Sequence, residues 1–237
     1  MTPHHHTDLS WLRIVRGRSV GDWFGCGFVM VVVLLLGTLG WYWYAEACSI
    51  ARLNALGAIC LQRPVLWPDL PSGAPGMPPL VVLQTCEIAW QPRPQTIEQP
   101  DWSLFRHLPH LESLTWESSP LTPRDLQAIP HLSHLRRLQL RSVPIPDGML
   151  SRLATLPCLV ELRLHDCRWS PGQLEDLGSS RVLEVLQLDF SPVAAAELPS
   201  LACIPTLKHL SLTGSGLSDS DSQVLLGLRP DLELSDD

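Results

Sequence analysis

Lysine is all but missing, with Lys208 alone against sixteen arginines. The chain also lacks a positive balance: its formal net charge is -7, and beyond Pro79 twelve Lys+Arg face twenty Asp+Glu, a net of -8. A nucleic-acid reader normally carries a basic working face, so this balance argues against DNA or RNA as a partner. Catalytic signatures are missing too, with no G-x-S-x-G, H-E-x-x-H, P-loop or C-x-x-C. The expectation is a non-enzyme with no catalytic residue, cofactor or resident metal. The seven cysteines make no evident disulfide framework. Cys158 and Cys167 flank one expected strand whose six extended residues hold them about 20 Å apart, beyond disulfide reach.

What is there begins with a run free of charge from Trp23 to Ala45, bounded by Asp22 and Glu46 and centred on FVMVVVLLLGTLG. Twenty-three helical residues cover about 34 Å, enough for a bilayer core of about 30 Å. Trp23 and Phe24 at one end and Trp41–Tyr44 at the other suit a headgroup layer. The expectation is a transmembrane helix over 23–45 acting as an uncleaved signal anchor in contact with the lipid bilayer. Arg13, Arg16 and Arg18 precede the run and only Arg52 follows it closely, which places residues 1–22 in the cytoplasm and the rest outside. Ala45-Glu46-Ala47 before Cys48 offers the alternative of signal cleavage and a secreted product. Residues 46–79 read as a helical extension followed by a proline-rich linker, since proline fixes φ and removes donors.

From residue 80 to 237 a repeat takes over. LESLTW at Leu111, LRRLQL at Leu135, LVELRL at Leu159, LEVLQL at Leu183 and LKHLSL at Leu207 follow one another at 24-residue intervals without an insertion. The first and fourth positions are Leu throughout; the sixth is Trp116, then Leu140, Leu164, Leu188 and Leu212. Four further apolar columns run through the second half of each unit, broken only by Ser180 and Ser222. The first half alternates like a short strand and the second has helical spacing. Thr122-Pro123 and Ser170-Pro171 supply an N-cap hydroxyl followed by a first-turn proline. Trp102, Phe105 and Leu108, with Ile97, fall on the helical columns one period earlier. No unit of this size buries its leucines alone, so the units must stack.

The chain resembles leucine-rich-repeat proteins. LVELRLHDC, ending at Cys167, matches the L-x-x-L-x-L-x-x-(N/C) signature, whereas Ser119, Val143, Ser191 and Ser215 depart from it in the last slot. The resemblance implies an α/β fold, a leucine-rich-repeat solenoid with parallel strands on the concave side and short helices on the convex side, preceded here by the transmembrane helix. Leu80–Trp90 would be an N-terminal capping strand, and Leu232 with Leu234 a truncated last one.

The resemblance makes the concave face the binding surface. Its non-leucine side chains include Glu117; Arg137, Gln139 and Arg141; Glu161, Arg163 and His165; and Gln187 with Asp189. Three arginines gathered in an acidic domain suit a carboxylate-bearing protein partner, because arginine presents a planar fork of donors. The function expected is thus a membrane-anchored interaction module with a protein partner. The alternative is a self-associating envelope component, and a homodimer is the corresponding assembly. His107/His110 and His131/His134 recur at the same period; stacking would set His110 beside His134, where imidazoles could ligate a metal, and repeat duplication explains the pattern equally well.

Overall fold

The computed structural model describes residues 20–66, 81–91 and 101–235. The expected basic tail up to residue 19, most of the linker and Ile97 lie outside the described residues. The chain divides into two compact units, residues 1–47 and 48–237. Helix α1 is Val20–Ala55.

Among the described residues no helix is long and apolar enough to cross a membrane. This corrects the transmembrane helix expected over 23–45, the signal anchor, and the single-pass topology with the repeats held outside. The physical reason is that the apolar run is only part of one continuous helix that also carries charged residues. Helix α1 is one 36-residue element in which Gly37, Thr38 and Gly40 dilute the apolar stretch. It continues through Glu46 and Arg52 to Ala55, where Leu53 is fully buried. The helical extension expected beyond it also stops early, because Gly57 turns at φ 98° and strand β1 (Ile59–Leu66) begins.

The second unit is built on an eight-stranded sheet whose strand order follows the chain. Strand β1 pairs antiparallel with β2 (Val81–Trp90), and every later neighbour is parallel: β3 (Ser113–Glu117), β4 (Arg137–Arg141), β5 (Glu161–His165), β6 (Val185–Gln187), β7 (His209–Ser211) and β8 (Glu233–Ser235). The returns between strands are short 3-10 turns and three short helices, α2 (Met149–Ala154), α3 (Leu198–Ala202) and α4 (Asp219–Leu228).

Register explains the period. Leu114 pairs with Leu138, Leu138 with Leu162, Leu162 with Leu186, Leu186 with Leu210 and Leu210 with Leu234. A strand sends alternate side chains to opposite faces, so a shift of one residue would expose the whole column. Instead Leu114, Leu138, Leu162 and Leu186 are fully buried. Each such leucine is worth roughly 1.5–3 kcal/mol of burial. Trp116 fills the sixth-position column at the start, stacked on Trp90 at 4.6 Å and met edge-on by Trp102 and Phe105. These rings close the first end of the core.

Each unit turns its corner with one residue in the left-handed region: Ser118, Ser142, Asp166 and Phe190 at φ 50–53°, and Gly214 at 66°. The four non-glycine corner residues each donate their N–H to the following strand or corner, as Ser118 does to the Arg141 carbonyl at 2.8 Å. Just after the corner, buried short polar groups bridge back to the previous unit. The Cys167 thiol donates to the Leu140 carbonyl at 3.5 Å and the Ser191 hydroxyl to the Leu164 carbonyl at 3.2 Å. Burial pushes the Cys167 thiol up to about 11, so it serves as a packed donor rather than a nucleophile.

Two further side chains stitch the opposite side. The Asp125 carboxylate accepts from the N–H groups of Thr122 (2.7 Å) and Trp102 (3.1 Å). Arg229 donates to the carbonyls of Ala202, Ile204 and Leu207 at 2.9–3.1 Å, capping the final return. Strand β1, with Pro64, lies on one edge of the sheet, where a missing donor does least harm.

Leu162→Ala is expected to destabilise the protein by about 2–5 kcal/mol, since it leaves a cavity between stacked units. Arg163→Ala, one residue on and exposed, is expected to change stability by no more than about 0.5 kcal/mol. Urea unfolding checks both, and equal losses would contradict the register.

Candidate functional site

On the side of the sheet away from the leucines, the same register lays three rows of side chains across the strands. The first runs Glu87, Ser113, Arg137, Glu161, Val185, His209 and Glu233. The second contains Gln139, Arg163 and Gln187, and the third Glu117, Arg141 and His165, with Asp189 continuing it just past β6. All nine residues selected from the sequence are therefore on this face. Neighbouring strands are about 4.8 Å apart, so adjacent rungs form one continuous polar surface.

The arginines are not equivalent. Arg163 forms an ion pair with Glu161, two residues away on the same strand. Arg141 is held by Gln139: with the carboxamide oxygen turned toward the guanidinium, it accepts from Nε at 2.7 Å and Nη2 at 2.9 Å. The Arg137 guanidinium forms no ion pair or hydrogen bond among the described residues, and the residue is exposed. It lines a depression of about 330 Å³ together with Glu87, Ser113, Gln139, Glu161 and Arg163. The face thus offers one unengaged guanidinium beside two that are already oriented. Farther along, His209 pairs with Glu233 at 2.6 Å and the Ser211 hydroxyl donates to Asp189.

One residue of this surface carries no repeat signal. Phe190 occupies the corner slot filled elsewhere by Ser, Asp or Gly, at φ 53°, where a bulky side chain is strained. Its ring is 56% exposed and packs 5.1 Å from the His165 ring. Gly214 lies beneath it: a Cβ there would fall 2.7 Å from the ring's Cδ1. The sequence clue is the mismatch itself, an aromatic in a column of small corner residues. Glu87, which extends the first row, was hidden in a strand lacking the leucine motif.

Among the described residues no serine on the face hydrogen-bonds to a histidine; the Ser211 hydroxyl donates to the Asp189 carboxylate instead. His110 and His134 have ring centroids 5.8 Å apart. Among the described residues no three metal-capable side chains gather, so that pair has no third ligand. No protein-family model matches the chain, and comparison with curated proteins finds none that match it.

Gly214→Ala is expected to cost about 1–3 kcal/mol, combining the left-handed backbone with the clash against the Phe190 ring. In a Phe190→Asn background the cost is expected to drop by at least about 0.5 kcal/mol, because only the backbone part remains. A double-mutant cycle by denaturant unfolding reads the difference; an unchanged cost would show that Phe190 does not rest on Gly214.

Proposed function

We propose that this chain is a leucine-rich-repeat interaction module that binds a protein partner on the open face of its sheet. The observation that carries the reading is Arg137, exposed and with its guanidinium unengaged, on the same face as Arg141 and Arg163 held in place by Gln139 and Glu161. A guanidinium already oriented loses less freedom on docking, and arginine suits bidentate recognition of a carboxylate. The exposed Phe190 ring beside His165 adds an apolar anchor at the rim, and aromatic residues share hot-spot enrichment with arginine. An acidic domain with a local cluster of arginines also disfavours approach of acidic partners everywhere except at that cluster.

A second reading, self-association, is favoured by the far end of the stack. Helix α4 exposes Val224, Leu226 and Leu228. Strand β8, the last of the sheet, has a neighbour on one side only. A second copy would cover both.

Photo-crosslinking separates the two. With a benzophenone side chain at Gln139 or Gln187, the expected product is a heterologous adduct, absent when the label is moved to Arg181 on a return segment. The paired substitution Arg137→Ala and Arg141→Ala is expected to weaken capture tenfold or more, equivalent to about 1.4 kcal/mol. Adducts confined to a label at Val224, with twice the chain mass, would replace the first reading by the second.

A further inference from the structure

The opposite side of the domain holds a second polar cluster that the binding face does not use. The 3-10 turns Trp102–His107 and Asp125–Gln127, with the following turn through His131, enclose a cleft of about 370 Å³. Asp101, Ser103, Arg106, Arg124, Gln127 and His131 line it, over the buried Ala128. In a domain of net charge -8, two arginines and a histidine converge on one cleft.

Their charge is poorly compensated. Among the described residues neither Arg106 nor Arg124 takes part in an ion pair. Asp101 is the one carboxylate lining the cleft, and its Oδ1 already accepts from the Ser103 N–H at 2.8 Å. Asp125, next in sequence to Arg124, is turned inward and buried, accepting from Trp102 and Thr122. Arg106 donates from Nε to His107 Nε2 at 3.1 Å, which orients the guanidinium and requires that imidazole to be neutral. Burial first, then the charges of Arg106 and His131, hold His107 below the ordinary histidine range.

We propose that this cleft binds the phosphate group of a small phosphomonoester. Two guanidinium forks and an imidazole match a dianion with three acceptor oxygens better than a monoanionic carboxylate, which a single arginine satisfies. The cleft exceeds the volume of phosphate alone and falls within the about 300–1,000 Å³ of small-molecule sites. Ser103 and Gln127 remain to hydrogen-bond the esterified group. This site is independent of the sheet face, so it stands or falls without the protein partner.

The test uses the full chain with isotope-labelled histidine, titrated by NMR with phenyl phosphate, inorganic phosphate and benzoate. Phenyl phosphate is expected to saturate and to shift the imidazole resonances of His107 and His131, leaving those of His209 on the sheet face unmoved. Arg106→Ala with Arg124→Ala is expected to weaken binding tenfold or more. Arg106→Lys with Arg124→Lys is expected to retain part of it. Both pairs are exposed, and an unchanged melting temperature verifies the fold. An equal response to benzoate, the same shift at His209, or undiminished binding by the alanine pair would overturn the site. Inorganic phosphate binding as tightly as phenyl phosphate would overturn the ester assignment.

Discussion

The structure depends on one demand: each unit must lay its leucines directly on those of the unit 24 residues before. A strand of three to five residues with alternating leucines cannot bury them by itself, and neither can the short return behind it. Stacking joins Leu114, Leu138, Leu162, Leu186 and Leu210 into one buried column, with parallel columns beside it. The intervening residues are then forced onto the other face in rows, whatever their chemistry. The arginine patch is therefore a by-product of core register, positioned with the precision of the hydrogen-bonded ladder.

Much of this was legible because burial constrains residue type so strongly. The four L-x-x-L-x-L segments, with LESLTW before them, marked the strand positions, and Trp102, Phe105 and Leu108 betrayed an earlier unit lacking that motif. The nine face residues followed directly from alternation. Strand β1 was not legible, since ICLQRPVL mixes apolar residues at helical spacing with a proline, and only pairing with β2 decides for the strand. The long apolar run before it matched the length of a bilayer span, yet helix α1 continues through Glu46 and Arg52 without a break. Three of the returns, between β2 and β3, β3 and β4, and β5 and β6, shorten to 3-10 turns where helices were expected. Fitting the corner, the return and the next strand into 24 residues leaves little room for longer helices.

Corner chemistry shows how a repeat tolerates departures from its signature. A left-handed residue recurs at Ser118, Ser142, Asp166, Phe190 and Gly214 although an asparagine slot is missing throughout. Cys167 and Ser191 supply the bridging donor that a longer amide would give, reaching carbonyls of the preceding unit. Phe190 breaks the pattern in the other direction, accepting backbone strain to hold an aromatic ring over Gly214 at the edge of the polar rows. Such strain persists only where the surroundings enforce it. The phosphate cleft escaped sequence reading for a different reason: Arg106, Arg124 and His131 occupy unrelated repeat positions and meet only through the stacking of two returns.

The central claim is that the sheet face, and not the returns, meets the protein partner. Arginine modification by phenylglyoxal, mapped by mass spectrometry with and without the captured partner, tests it most directly. The account expects Arg137 and Arg141 to lose reactivity in the complex while Arg181 keeps it. Protection of Arg181, with Arg137 and Arg141 reacting as in the free chain, would contradict it.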